Sequence, residues 1–161
     1  MANKALITDV AKELSNELPD GGAIIGIDLG TKTIGLSVSD RSWRYATPLQ
    51  TISRGKFKDD SKFLKQTIEE RKISAFVVGL PKNMDGSEGS RAQSARAYAK
   101  NLSETFALPS LMWDERWSTQ SAENAMIEQE MTRSKRGKRI DSHAAAIILQ
   151  GALDALTGNM F

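Results

Sequence analysis

Cysteine is absent from this chain of 161 residues, and histidine occurs once, at position 143. The protein therefore has no disulfide framework, no thiolate zinc site and no cysteine nucleophile, and any metal site must use oxygen ligands or that histidine. No apolar run approaches the ~20 residues of a membrane span. Residues 1–22 contain four acids and no continuous apolar segment, unlike a secretory signal. We expect a soluble, cytoplasmic protein.

The chain also has little excess charge of either sign, because 22 basic and 20 acidic residues leave a net charge of only +2. Its distribution is more informative than its total. Residues 133–139 read RSKRGKR, with five basic side chains and no acid. Such a segment can hold nucleic-acid phosphates. The alternative is a solvated, mobile loop, since a run of like charges repels itself and stays exposed.

The hydrophobic pattern of residues 24–53 predicts three strands. Residues 24–29 form an apolar run typical of a strand covered on both faces, and residues 34–39 alternate as in a half-buried strand. Residues 45–53 form a weaker strand that Pro48 places at an edge. With residues 30–33 as a hairpin loop, these strands predict an antiparallel meander.

Helical and strand patterns alternate after the meander. Helices are expected at residues 59–72, 90–106 (opening with a capping box, Ser90–Gln93), 118–130 and from Asp141 onward, and strands at 75–80 and 111–113. The last helix carries on its packed side Ala144, Ile147, Ile148, Gly151, Ala152 and Ala155. Because the later strands need crossover connections, we predict an α/β protein with a mixed five-stranded sheet and helices on both faces.

The first 22 residues are predicted to form an appendage. A short helix at residues 10–18, with Leu14 and Leu18 on one side, ends at Pro-Asp-Gly-Gly. These leucines can cover a surface on this chain or on another one. The main domain is expected to span residues 23–161.

Three acids stand where predicted elements end or begin. Asp28 lies in the first strand, Glu115 directly follows the last strand, and Asp141 opens the last helix. Ligands of open sheets lie beyond the carboxyl ends of the strands, so this edge is where chemistry is expected. Carboxylates among apolar neighbours need a counter-charge, and Mg²⁺ or Mn²⁺ prefers oxygen ligands. The three acids are the predicted metal-binding and catalytic residues of a phosphoryl displacement.

Each acid also has a structural interpretation. Asp28 can accept hydrogen bonds from the turn at Gly30–Thr31, and Glu115 can pair with Arg116 or Arg139. Asp141 occupies an N-cap position, where an aspartate contributes ~1 kcal/mol without any catalytic role.

Two neighbouring residues stay open candidates. Asp114 alternates with Glu115 and should face the opposite way, which makes it a reserve ligand. His143 stands near the predicted helix start, where a lone histidine is more often a surface or capping group than a proton-transfer residue.

Four motifs occur together in one order: GIDLGTKTIGLSVSD, VVGLPKNMDGSEG, DERWST and IDSHAAAIIL. In this order and spacing they resemble the YqgF family, also called RuvX, which are nucleases of pre-16S ribosomal RNA similar to Holliday junction resolvases of the ribonuclease H fold. The resemblance covers about residues 23–157. It implies a ribonuclease H-like sheet, an acidic triad of Asp28, Glu115 and Asp141, and a loop near the substrate at GLPKNMDG. The appendage and Trp117, where a smaller aliphatic residue is more usual, depart from the family pattern.

We therefore predict a metal-dependent phosphodiesterase that processes the 5′ end of pre-16S rRNA in ribosome biogenesis. Its predicted nucleic-acid ligands are Lys82, Arg91, Arg133, Lys135, Arg136, Lys138 and Arg139. A Holliday junction resolvase is the first alternative, because both substrates present phosphates to the same carboxylates. Symmetric cutting of a junction calls for a dimer, which no sequence feature indicates.

Two other classes of protein were weighed. In a non-catalytic nucleic-acid-binding module, the same basic residues and Arg96 hold phosphates, while the acids are structural. The opening motif also resembles the phosphate-binding turn of actin-like ATPases and sugar kinases. Those proteins need two such domains to enclose a nucleotide, and this chain is too short for both.

Overall fold

The computed structural model describes residues 5–117 and 133–158, with side chains described for residues 5–116 and 142–158. The strands are β1 (Ile7–Thr8), β2 (Ala23–Leu29), β3 (Thr33–Ser39), β4 (Ala46–Ser53), β5 (Ile73–Leu80) and β6 (Ser110–Asp114). The helices are α1 (Ala11–Glu17), α2 (Phe57–Arg71), α3 (Ser90–Phe106) and α4 (Arg133–Thr157), and a 3-10 turn spans Glu115–Trp117. Along the described part of the chain, no helix is long and apolar enough to cross a membrane.

The strands form one mixed sheet in the order β1-β6-β5-β2-β3-β4. β2, β3 and β4 make the predicted antiparallel meander, and β5 and β6 extend it in parallel from β2. Pro48 lies on the edge strand β4, where the register with β3 shifts by one residue. An edge is where proline, which has no N–H to donate, is tolerated. The predicted α/β class is confirmed.

The sheet has six strands rather than the expected five. The additional strand, β1, pairs in parallel with β6, with Ile7 opposite Ser110. Leu14 of α1 is fully buried against the sheet, together with residues of α4. The leucines of the N-terminal segment therefore cover this chain's own sheet. A two-residue strand has no periodic signal, and its partner lies far along the sequence.

Helices cover both faces of the sheet, as predicted. One face carries Ile25, Ile27 and Val78 and packs against α2 and α3. The alternate residues of the same strands, such as Ile24 and Val77, pack against α1 and α4. Because side chains of a strand alternate between faces, Asp28 lies on the α4 side.

Helix α4 packs very closely on β2 and β3. At Gly26 an added Cβ would lie 2.7 Å from the Cβ of Leu149 and 3.0 Å from the carbonyl oxygen of Ala145. The hydroxyl of Ser37 donates a hydrogen bond of 2.8 Å to that same carbonyl. A glycine in a strand interior often marks such an approach of another backbone.

Helix α4 differs from its prediction in where it begins. It starts at Arg133, so the basic segment is its first two turns and not a loop. Asp141 is consequently inside the helix and is not its N-cap. His143 also lies inside the helix, and not near its start as predicted. Lysine and arginine are good helix formers, and Gly137 costs only ~1 kcal/mol relative to alanine.

The buried side of α4 is displaced by about one residue along the sequence from the predicted one. Its fully covered residues are Ala145, Ala146, Ile148, Leu149, Ala152 and Leu153, whereas Ala144, Ile147, Gly151 and Ala155 are half-buried. Neighbouring sets of apolar residues have the same helical spacing, so periodicity alone did not separate them. The helix predicted at 118–130 lies outside the described residues.

The start of α3 corrects a second detail. Ser90 is the first residue of the helix and Gly89 is the N-cap, and no described side chain caps it. The predicted capping box at Ser90–Gln93 is therefore wrong. The first bonded amide of the helix, that of Gln93, donates to the carbonyl of Gly89.

Candidate active site

The carboxyl ends of three neighbouring strands meet at one edge of the sheet. Asp28 is the penultimate residue of β2, Gly79 is the penultimate residue of β5, and Glu115 directly follows β6. Gly79 of β5 pairs in register with Trp113 of the adjacent strand β6. Glu115, two residues after Trp113, therefore lies at the same edge of the sheet. These strand ends are where ligands of such sheets lie.

Asp28 and Glu115 are brought together by this arrangement. Burial raises the pKa of Glu115 to about 8, and the negative charge of Asp28 and a side-chain hydrogen bond with it act in the same direction. The positive charge of Arg91 offsets part of this effect. At neutral pH and without a cation, the pair therefore retains a proton that an ordinary glutamate would have lost.

Gly79 makes the approach of Glu115 possible. A Cβ at position 79 would clash with a carboxylate oxygen of Glu115 and lie 2.9 Å from the terminal methyl of Ile148 on α4. The carboxylate is thus held between the backbone of β5 and the apolar side of α4. Any side chain at position 79 would displace it.

The pair fits a divalent cation in its chemistry. Asp28 and Glu115 are both half-buried, and the negative charge of one carboxylate disfavours the charge of the other. A nearby cation would stabilise both, and carboxylate oxygens are the ligands that Mg²⁺ and Mn²⁺ prefer. A cation can replace the shared proton. Within residues 5–116 and 142–158, no group of three acids or histidines is placed to hold a metal. The third predicted ligand, Asp141, has a side chain outside those ranges.

The backbone nevertheless locates position 141. It lies on α4 four residues before Ala145, whose carbonyl is bonded to Ser37 of β3. Four residues are about one helical turn, or ~6 Å. Asp141 is thus on the helix that covers the same face of the sheet as Asp28.

Asp114 faces the other side of β6, away from Glu115. Its carboxylate receives hydrogen bonds from the guanidinium of Arg116, the shortest being 2.7 Å. Although burial acts in the opposite direction, these bonds hold the pKa of Asp114 below its ordinary value. Arg116 also donates to the carbonyl of Met84 in the loop after β5, at 3.4 Å. Arg116 therefore forms an ion pair with Asp114.

The turn after Asp28 is closed on itself. The amide of Gly30 donates to the carbonyl of Thr33 at 2.9 Å, and Arg54 donates to the carbonyl of Gly30 at 2.8 Å. These bonds do not use the carboxylate of Asp28.

The predicted nucleic-acid ligands fall into three groups. Arg91 is exposed at the start of α3, and its charge reaches Glu115. Lys82 is half-buried just beyond β5 and acts on Asp114. The five basic residues of 133–139 lie on the first two turns of α4, and their side chains are outside the described ones.

Arg96, a phosphate ligand in the non-catalytic alternative, is already paired. It donates to Glu88 at 2.6 Å and to Asp9 at 2.8 Å, and so links the loop before α3 to the N-terminal segment. His143 is half-buried on α4, two residues after Asp141.

Comparisons with known proteins identify the family. The family model of RuvX, described as Holliday junction resolvase, matches residues 22–155. The chain belongs to the RuvX family. This confirms the resemblance inferred from the four motifs.

Curated relatives match nearly the whole chain. A protein of Novosphingobium aromaticivorans is 56% identical over 156 residues, covering 97% of this chain and 100% of the relative. A protein of Agrobacterium fabrum is 52% identical over 152 residues, covering 94% of this chain and 96% of the relative. Both carry the name "Putative pre-16S rRNA nuclease".

Solved structures show the same fold at low sequence identity. Thermus thermophilus RuvC in complex with Holliday junction substrate has a TM-score of 0.51 and 14% identity, covering 85% of this chain and 96% of that chain. At this identity the likeness supports the fold and nothing further. It agrees with the ribonuclease H-like architecture predicted from the sequence.

Two residues of this RuvX site were missed by sequence reasoning. Gly79 stands inside an apolar strand, and that position was itself a signal, because an isolated glycine in a strand suggests a close contact. Arg54 carried no signal, since one arginine after a strand is an ordinary surface feature. Its contacts with the turn after Asp28 exist only in the folded chain.

Proposed function

We propose that this chain is a metal-dependent nuclease that hydrolyses phosphodiester bonds during ribosome biogenesis, at the 5′ end of pre-16S rRNA. The observation that carries the proposal is the contact between the carboxyl groups of Asp28 and Glu115, which meet at the carboxyl ends of the strands and are joined by a hydrogen bond. The names of the curated relatives support RNA as the substrate. Ribosome assembly would place its action in the cytoplasm.

Asp28, Glu115 and Asp141 would hold one or two Mg²⁺ or Mn²⁺ ions. When bound, such a cation supplies Lewis acidity at the oxygens of the phosphate that is cut. Asp28 and Glu115 would hold the cation with oxygens that project from rigid strand ends. The apolar side of α4, including Ile148 beside Gly79, limits the access of bulk water to Glu115.

The inclusion of Asp141 rests on the path of α4. This helix is tied to β3 by the bond from Ser37 to Ala145, and it covers the face that carries Asp28. One further turn of helix leads from Ala145 to Asp141. A carboxylate there would complete a three-ligand site with the pair.

Basic residues around this edge would hold the nucleic-acid backbone. Arg91 and Lys82 approach from the side of α3 and β5, and the basic first turns of α4 approach from the opposite face. Phosphate contacts of this kind position a strand without reading its sequence. Binding should therefore weaken steeply as the salt concentration rises.

The decisive experiment is a cleavage assay with two substrates side by side. Purified protein is mixed with labelled pre-16S rRNA and with a four-way DNA junction, in Mg²⁺, in Mn²⁺ and with a chelator. The proposal predicts metal-dependent cuts in the RNA. Binding without any cut in either metal would favour the non-catalytic module.

Holliday junction resolution is the second candidate, because the family description names it. Paired, symmetric cuts in the DNA junction, with none in the RNA, would favour it. Such cuts require two active sites, so the active form would also have to be a dimer.

A further inference from the structure

A cavity of about 200 Å³ lies next to the turn that follows Asp28. It is a cleft open to solvent between that turn and the start of α3, and it is lined by Leu29, Gly30, Thr31, Arg54, Ser90, Arg91 and Ser94. Gly30 is only two residues beyond Asp28. Whatever occupies the cavity is therefore adjacent to the proposed site of cleavage.

Arg54 is fixed in the wall of this cavity. Its guanidinium donates to the carbonyl of Gly30 at 2.8 Å and to the hydroxyl of Ser94 at 3.0 Å. It also lies 5.9 Å from the centre of the ring of Tyr98, in a cation–π contact. These contacts use two of its five N–H groups, so donors remain for a ligand.

A buried network holds Tyr98 in place beneath Arg54. The hydroxyl of Tyr98 donates to Asp60 at 3.2 Å, and the amide of Gly55 donates to the same carboxyl at 3.3 Å. Tyr98 is 5% exposed and Asp60 is 4% exposed. Asp60 thus fixes both Tyr98 and the backbone next to Arg54.

The cavity carries an excess of positive charge. Its lining contains two guanidinium groups, those of Arg54 and Arg91, and no carboxylate. Three hydroxyls, those of Thr31, Ser90 and Ser94, add donors to its lining. The amino end of α3 also contributes a partial positive charge. A pocket with two guanidinium groups and several hydroxyls suits a phosphate group.

We propose that this cavity binds a backbone phosphate of the substrate strand, next to the phosphate that is cut, with Arg54 and Arg91 as its charged ligands. This inference rests on the proposed nuclease function, because that function defines which phosphate is cut. Arg54 would then join the bound strand to the turn that follows Asp28. This contact would set which phosphodiester bond lies over the carboxylate pair.

The test uses short single-stranded RNAs in which one phosphate at a time is replaced by a neutral methylphosphonate. Binding to the full chain is measured by fluorescence anisotropy with a chelator present, so that no cutting occurs. For the unmodified protein, one replacement next to the mapped cut should weaken binding by about tenfold, as expected for lost charged hydrogen bonds. For R91A and R54K, the same replacement should weaken binding by clearly less than tenfold, because each variant has already lost part of the contacts to that phosphate.

Two controls separate the site from general charge and from folding. K65A removes an exposed positive charge from α2, and it should keep the full response to the replacement. R91A changes an exposed residue and should unfold at the temperature of the unmodified protein, whereas R54K keeps the charge but loses the planar fork.

The possible results distinguish the site from the function. If the protein cuts RNA and both variants keep the tenfold response, the cavity proposal is overturned and the nuclease function stands. If one phosphate gives the tenfold response in the unmodified protein and both variants reduce it, but no RNA is cut in Mg²⁺ or Mn²⁺, the phosphate site stands and the nuclease function falls.

Discussion

Asp28 and Glu115 share a hydrogen bond although the strands that carry them are not neighbours in the sheet. Strand β5 runs between β2 and β6, and Gly79 on β5 leaves the space through which Glu115 reaches Asp28. A glycine, and not a third functional group, is thus what allows the two acids to meet. The predictions that follow test this geometry and its consequences.

The variant D28N should abolish cleavage while the fold is kept. An amide is nearly the same size as the carboxylate, but it supplies no negative charge for a cation. We expect a loss of at least ~100-fold in the cleavage rate, measured on the RNA substrate. D59N, at an exposed position of α2, is the matched control and should retain the rate. Normal activity of D28N would exclude the proposed role.

The variant G79A should lose most of its activity without unfolding. The added methyl group would push the Glu115 carboxylate away from Asp28, at a cost of about 1–3 kcal/mol for overpacking. The cleavage rate and the midpoint of thermal unfolding are the measurements. G55A is the control, since a Cβ at Gly55 meets nothing within 4 Å. Full activity of G79A would show that Glu115 does not need this position.

The raised pKa of Glu115 predicts how stability depends on pH in the presence of a chelator. The folded state holds a proton up to about pH 8, whereas an unfolded glutamate releases it near ~4.3. Between these values the folded state binds more protons, so this group's contribution to stability falls as pH rises. E115Q has no such contribution. Its free energy of unfolding relative to the unmodified protein should therefore increase from pH 6 to pH 9.

Denaturant titrations at both pH values measure this difference. Mg²⁺ or Mn²⁺ should stabilise the unmodified protein most at high pH, because a cation then replaces a proton already lost. E115Q should respond less to either ion. An equal difference between the two proteins at pH 6 and pH 9 would contradict the raised pKa.

Replacing Lys135, Arg136 and Lys138 by alanine should weaken substrate binding and leave the carboxylate pair intact. If each side chain contacts one phosphate of a single strand, the slope of log K against log salt should fall by about 2. Anisotropy at several salt concentrations gives this slope. The control removes three exposed lysines of α2, Lys58, Lys62 and Lys65, and should leave the slope nearly unchanged. An unchanged slope for the first variant would mean that this part of α4 makes no phosphate contacts.

The variant R96A should lower stability and leave the salt slope of binding unchanged. Arg96 is already paired with Glu88 and Asp9, so it supplies no charge to the substrate. Its pairs are partly exposed, and their loss should cost about 1 kcal/mol or less. Thermal unfolding and the salt slope are the two measurements. A smaller slope would show that Arg96 does contact phosphate.

Much of the architecture was predictable because its signals are local. Alternating and continuous apolar runs identified β2, β3 and β5, and Pro48 identified β4 as an edge. The four motifs identified the family. The proposed phosphate ligands and the roles of Asp28, Glu115 and Asp141 remain predictions, and the structure adds the contact between the first two acids.

The sequence by itself determined the type and order of most strands and helices, and the placement of Asp28 and Glu115 at strand ends, because these depend on neighbouring residues. Only the tertiary structure decided which side of α4 is buried, that β1 joins the sheet, and that Arg54 lines a cavity next to the turn after Asp28. Each of these depends on contacts between segments far apart in the chain. Periodicity carries no information about such contacts, since it says which residues avoid water but not which partner covers them.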